Sequence, residues 1–157
     1  MSRLAVKEYC RQQLALLDVP VPCVVLAQRP REIAAAEQAV IIVTLPESRE
    51  ERFTAPRLFG RKQVTYGAGL EIYWVAADDQ AGGTAFDQLL DQIDQYFRLA
   101  ALPVAIRDPQ SGEESQIVFI AEEIATAVEE PLLVEELQGY IVFTARKTVQ
   151  VVEHTTG

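Results

Sequence analysis

Few residues in this chain have both the type and the spacing that catalysis requires. The only histidine, His154, lies three residues from the C-terminus, so a Ser/His or Cys/His pair would depend on the tail of the chain. The sequence contains no GxxxxGK[ST] loop, GxGxxG turn, HExxH helix or CxxC pair. It therefore predicts no catalytic residue, no cofactor-binding residue and no enzymatic activity.

Two groups of carboxylates have the residue types of a metal site. Asp87, Asp91 and Asp94 could present carboxylates from one helix, but they fall on the polar side of an amphipathic pattern, which favours a solvated surface. The segment from Asp78 to Gly83 holds two aspartates and two glycines but lacks the spacing and distal glutamate of a calcium loop. It favours a strand-to-helix turn, and the sequence predicts no metal site.

The two cysteines also lack a chemical pattern. Cys10 falls on a predicted helix and Cys23 just before a predicted strand, without zinc-ligand spacing or the cysteine density of a secreted scaffold. Buried, reduced thiols in a reducing compartment are the expectation.

Length and charge limit the classes of protein that fit. A chain of 157 residues with 49% hydrophobic and 24% charged residues predicts one globular domain, residues 1–157. Fourteen basic and 23 acidic residues give a net charge of −9, which argues against gripping nucleic-acid phosphates but not against lining a passage for DNA. The longest aliphatic run, Ala39 to Val43, is too short to span a bilayer, and Met1 to Val6 has no apolar signal core. The expected location is a cytoplasm, without a membrane partner.

One strand and one helix organise the predicted fold. From Gln63 to Ala76 apolar and polar residues alternate, with Trp74 on the apolar face, as in a half-buried strand. From Phe86 to Phe97 apolar residues recur at helical spacing, and Thr84 is the predicted helix cap. The two apolar faces are expected to pack together.

The remaining pattern places further elements on both sides of this pair. A first helix capped by Ser2 ends before Pro20, and Arg31 to Gln38 could form a helical turn or two. The predicted strands are Cys23–Ala27, Ala39–Leu45, Val104–Arg107, Gln116–Ile120 and Tyr140–Val152, followed by a frayed tail from His154 to Gly157. This order predicts an α+β fold, with a mainly antiparallel β-sheet and two principal helices packed on one face.

Two charged segments interrupt the pattern. Pro46 to Gly60 is predicted to be a long charged connection, either a solvated loop or a binding segment that becomes ordered on assembly. Glu122 to Glu136 contains six glutamates, and Pro131 excludes a continuous helix or central strand there.

Several strings in this order resemble the tail terminator (tail completion, minor tail) proteins of long-tailed bacteriophages and their prophages. The resemblance covers nearly the whole chain and rests on element order and aromatic placement. The matching strings are Val24-Val25 followed by Arg29-Pro30, Ala39 to Thr44 running into a charged loop, Arg61 to Tyr66 leading to Leu70 to Trp74, Phe86 to Ile93, and a long terminal strand.

The resemblance implies a small structural subunit without an active site. Such subunits form a ring, commonly hexameric, at the head-proximal end of the tail tube, stop tube growth and join the tail to the head. The implied partners are further copies of the chain, the tail tube protein and the head-tail connector protein, with DNA only as passing cargo. The implied location is the virion tail, assembled in the host bacterial cytoplasm. A small ligand-binding or regulatory α+β module is the alternative function.

If the chain forms a ring, opposite charges could set the register between subunits. Basic residues of the charged connection would face glutamates of the acidic segment across a subunit boundary. The predicted interface residues are Arg49, Arg52, Arg57, Glu129, Glu130, Glu135 and Glu136.

Overall fold

The computed structural model describes residues 3–28, 30, 36–52, 61–99, 104–107, 112, 114–133 and 139–156. These residues form an α+β fold, with two helices and a curled, mostly antiparallel sheet, as the sequence predicts. The helices are α1 (Arg3–Leu14) and α2 (Asp79–Leu99). The described strands are β1 (Cys23–Leu26), β2 (Gln38–Arg52), β3 (Arg61–Ala76), β4 (Val104–Arg107), β5 (Glu114–Val128), β6 (Leu132–Leu133) and β7 (Ile141–Thr156).

The sheet is built around β3 and β7, its two longest strands. The strand order is β1-β2-β3-β7-β5-β4, and β6 pairs with β7 beside the end of β5. β1 and β2 are parallel, whereas every other described pair is antiparallel. A strand of 16 residues extends about 53 Å, whereas a helix of 21 residues extends only about 32 Å. The central strands therefore run well past the length of α2.

Both helices pack on the same face of this sheet. Leu90, Ile93 and Phe97 of α2 lie in one core cluster with Ile72 and Trp74 of β3, which is the predicted packing. The α1 residues in that cluster are Val6, Cys10 and Leu14. Burial of large apolar side chains of this kind contributes about 1.5 to 3 kcal/mol each, so the layer between helices and sheet holds the fold together.

The start of α2 corrects the predicted helix cap. The helix begins at Asp79, and the Asp78 carboxylate accepts hydrogen bonds from the backbone N–H groups of Gln80 (2.8 Å) and Ala81 (3.0 Å). Asp78 is thus the N-cap, and the prediction of Thr84 is wrong by six residues. Gly82 and Gly83, which the sequence assigned to a strand-to-helix turn, lie within the helix, where a Cβ at Gly82 would overlap the Cβ of Ala76.

Two predicted boundaries are also wrong, each because a strand continues further than its sequence suggests. β2 does not end at Pro46, because a register shift between Thr44 and Glu47 takes the proline out of the ladder and pairing resumes to Arg52. The predicted loop from Pro46 is therefore strand up to Arg52, and residues 53–60 lie outside the described part of the chain. β5 likewise continues into the acidic segment as far as Val128.

The predicted frayed tail is in fact paired strand. β7 continues to Thr156, and His154 pairs with Gln63 of β3 and Gln116 of β5. Neighbours on both sides thus order residues that local sequence marks as a terminus. Ser2 and most of the predicted turn from Arg31 to Gln38 lie outside the described residues.

Candidate functional site

One end of the sheet carries the arginines predicted to form an interface. Arg49 lies on β2 opposite Thr65 of β3 and is exposed. The α1 residue Arg3, which the sequence analysis missed, lies at this end as well, because its guanidinium donates a 2.9 Å hydrogen bond to Ser48. Further basic residues at backbone positions of this end are Arg52, Arg61 and Lys62. Arg57 lies outside the described residues.

This end, here called the hairpin end, carries charges of both signs. Glu47, Glu50 and Glu51 occupy β2 between and beside the arginines. The described side chains at the hairpin end include the exposed Arg3 and Arg49, and the neighbouring strand positions hold residues of both charge signs.

The opposite end of the sheet is acidic. Glu129 and Glu130 directly follow β5 and are exposed, as predicted for interface residues. Three other exposed carboxylates lie at the same end because they flank the start of β2 or the end of β3: Glu37, Asp78 and Asp79. We call this the acidic end. Glu135 and Glu136, also predicted as interface residues, lie outside the described part of the chain.

The register of the sheet keeps the two ends far apart. Arg49 pairs with Thr65, whereas the backbone N–H of Glu129 donates to Thr144, which pairs with Tyr73. Thr65 and Tyr73 are eight residues apart on β3, or about 26 Å along the strand. Arg49 and Glu129 therefore do not meet within one subunit, and a pairing between them requires a second copy.

Glu129 has a partner within its own subunit. The guanidinium of Arg146 lies 3.9 Å from its carboxylate, with 65% and 52% of the two side chains exposed. An ion pair this open to water contributes about 0 to 1 kcal/mol, so another partner could replace Arg146 at little cost.

A buried charge joins α2 to the sheet. Lys147 of β7 is 1% exposed, and its ammonium donates 2.7 Å hydrogen bonds to the Asp94 carboxylate of α2 and to the Thr126 hydroxyl of β5. Asp94 is therefore not part of a purely solvated face, which corrects the sequence interpretation, whereas Asp87 and Asp91 are exposed as expected. The ion pair therefore links α2 to β7 across the interface between the helix and the sheet.

A second buried ionisable side chain lies nearer the hairpin end. Glu153 of β7 has no exposed surface, and its carboxylate accepts a 3.3 Å hydrogen bond from the Tyr66 hydroxyl. The sequence held a signal for both buried charges, because Lys147 and Glu153 fall on the apolar positions of the β7 alternation. A charged residue at such a position needs a partner inside the fold.

The prediction of two buried thiols is confirmed for Cys10 and is wrong for Cys23. Cys10 is buried in the core, Cys23 is partly exposed, and neither forms a disulfide. Burial raises the pKa of the Cys10 thiol to about 12 and also raises the pKa of Cys23. Both thiols are thus poor nucleophiles near neutral pH.

Comparison with known proteins leaves these surfaces as the main guide to function. No protein family model matches the chain, and no curated protein shows significant sequence similarity to it. In the described ranges, no three histidine, cysteine or acidic side chains group as metal ligands would, and neither α1 nor α2 has the apolar length to cross a membrane.

Proposed function

We propose that this chain is a structural subunit of a bacteriophage tail. Copies of it form a closed ring at the head-proximal end of the tail tube, where the ring stops tube growth and joins the tail to the head. Its neighbours are further copies, the tail tube protein and the head-tail connector protein, and DNA passes through the ring as cargo. The subunit does no catalysis.

The observation that carries this proposal is that the two ends of the subunit carry different charge patterns. A part placed between two different neighbours needs two different docking surfaces. Here the same long strands end in the arginine-containing hairpin end on one side and in the acidic end on the other. Surfaces with different charge patterns select different partners and fix their orientation. The resemblance of the sequence to tail terminator proteins supplies the identity of those partners.

Core packing supports a structural subunit over a ligand-binding module. A ligand site in an α+β module of this size is expected between the helices and the sheet. Among the described residues, Phe86, Ile93 and Phe97 of α2 occupy this layer and are each at most 2% exposed. The molecule thus offers its outer surfaces for binding.

Deletion of the gene from its phage tests the function directly. Electron microscopy of the lysate should show tails that exceed the normal length and carry no head, because nothing stops tube growth or offers a joining surface. Supplying the wild-type protein from a plasmid should restore normal virions. Tails of normal length joined to heads in the deletion strain would contradict the proposal.

A charge-reversal variant tests the hairpin end. Arg49→Glu combined with Arg52→Glu should reduce the yield of complete virions, with a larger defect at low salt where exposed charges interact more strongly. The matched control, Arg49→Lys combined with Arg52→Lys, keeps both charges and should assemble normally. Equal virion yields from the two variants, with unchanged thermal unfolding, would remove this end from the assembly contacts.

A further inference from the structure

The second half of β5 has no described strand along one of its two edges. β4 pairs with β5 only at residues 114–117, whereas residues 125–128 pair with β7 on one side and with no described strand on the other. All four residues are exposed, and Val128 keeps 58% of its surface exposed. Edge strands are normally protected by charges or prolines, but Ile124 to Val128 carries neither. This edge is therefore suited to pairing with another strand.

The opposite border of the described sheet, formed by β1, likewise has no described strand on its outer side. β1 pairs with β2 and with no other described strand. Its Val24 is 45% exposed. Val24 and Val128 are thus two of the five large apolar side chains that the described residues leave exposed, and each lies on one of the two open edges.

The two edges lie at the same height of the sheet. Successive pairings connect Val25 to Ile41, Ile72, Ala145 and finally Val128, so all five residues share one row. The row crosses four strand spacings, which separates the β1 and β5 edges by about 19 Å within one subunit. Neighbouring copies can therefore meet edge to edge without a change of height.

Strand direction and hydrogen-bond alternation agree with such a contact. β1 runs parallel to β2 and β7, whereas β5 runs the opposite way, so β1 of one copy would meet β5 of the next as an antiparallel pair. The Glu129 N–H points towards β7, so the backbone groups of Val128 point to the open edge. Pro22 accepts a hydrogen bond from β2, so the backbone groups of Val25 also point outward. Both residues thus direct their backbone N–H and C=O groups away from the described sheet, and both lie in the same row.

We propose that β1 of one copy pairs with β5 of the next copy, with Val25 opposite Val128, and that this pairing is the lateral contact of the ring. The inference deepens the proposed function and rests on it for the closed ring. Each edge is paired with a second copy of this chain. The reason is that the two edges match each other in their row in the sheet, in their strand direction and in the alternation of their hydrogen-bonding groups. Since the edges differ, each contact is heterologous and leaves one edge free at either end until the ring closes.

Side-chain sizes at the contact are complementary. On the sheet face away from the helices, β1 presents Val24 and Leu26, whereas β5 presents the smaller Ala125 and Ala127. Larger residues of one copy therefore lie beside alanines of the next. The contact also keeps every copy at one height, so the hairpin ends form one face of the ring and the acidic ends form the other.

Cysteine cross-linking tests this pairing. In a Cys23→Ser background, Val24→Cys and Glu129→Cys would face each other in a non-hydrogen-bonded pair, with Cα atoms about 4.5 Å apart, which suits a disulfide. Within one chain these positions lie on opposite edges of the sheet and cannot bond. Oxidation with diamide should convert most of the protein into a ladder of covalent oligomers on a non-reducing gel. A mixture of the two single variants should stop at dimers.

The control places the second cysteine at the wrong height. Val24→Cys combined with Arg49→Cys, in the same background, uses an exposed position at the hairpin end and should stay monomeric on the gel. Rings of the wild type by native mass spectrometry, without a ladder from the Val24→Cys/Glu129→Cys variant, would overturn the edge pairing and leave the proposed function standing. Wild-type protein that stays monomeric would overturn both.

A backbone variant gives a second, independent readout. Val128→Pro removes the N–H that points to the open edge and leaves the described hydrogen bonds to β7 in place, whereas Val128→Thr keeps that donor. The proline variant should melt as the threonine variant does but shift the ring-to-monomer midpoint to at least tenfold higher protein concentration. Equal midpoints for the two variants would contradict a hydrogen-bonded edge contact.

Discussion

Removal of the Asp94 carboxylate should destabilise the fold far more than removal of its neighbours on α2. Lys147 is 1% exposed and Asp94 is 24% exposed, so Asp94→Ala leaves an ammonium in the core with the Thr126 hydroxyl as its remaining described partner. Breaking a buried ion pair from one side costs about 3 to 5 kcal/mol. We expect about 3 kcal/mol, because Asp94 retains some contact with water.

Two further variants isolate the charge effect. Asp91→Ala removes an exposed carboxylate from the same helix and should change the free energy of unfolding by less than about 0.5 kcal/mol. Lys147→Met in the Asp94→Ala background removes the stranded charge and should recover about 2 kcal/mol. Urea unfolding followed by circular dichroism measures all three. Equal costs for Asp94→Ala and Asp91→Ala, or no recovery with Lys147→Met, would refute the reasoning.

The remaining predictions concern the core and the thiols. Gly82→Ala should lower the free energy of unfolding by about 1 to 3 kcal/mol, because the added methyl group overlaps the sheet. Gly83→Ala should be neutral or stabilise α2, because the nearest contact of its methyl group is at 3.6 Å. Thermal melts of the two variants test this difference. Phe97→Ala should cost about 3 to 5 kcal/mol in urea, and a loss below about 1 kcal/mol would contradict its burial. Burial raises the pKa of Cys10 to about 12, so the folded state favours the neutral thiol. The contribution of this thiol to the free energy of unfolding is fully present below the unfolded pKa of about 8.5 and is lost as the pH rises through 12. Alkylation of Cys10 at pH 8, followed by mass spectrometry, should therefore require urea.

Strongly periodic segments allowed the fold class to be predicted from the sequence. The alternation in β3 and the helical spacing in α2 each bury one face, and the described structure pairs those faces. Boundaries were harder, because they depend on neighbours that local sequence does not reveal. Pro46 looked like a strand end, but a register shift lets β2 continue, and His154 looked like a loose tail although two strands hold it.

The candidate surfaces were only partly predictable. Exposure of Arg49, Glu129 and Glu130 follows from their charge. Their separation to opposite ends of the subunit depends on the pairing register, which the sequence does not specify. The continuation of β5 to Val128 was hidden for a related reason, because Pro131 argues against a continuous central strand in the glutamate-rich segment.

Electron microscopy of the purified protein tests the central claim most directly. The subunit should assemble into a closed ring with a central channel wide enough for duplex DNA, about 20 Å across, and with the same face of every copy on the same side. Class averages of negatively stained particles, with native mass spectrometry of the same sample, would show a single closed oligomer. A monomer at every protein concentration, or an open filament that never closes, would contradict a ring at the end of a tail tube.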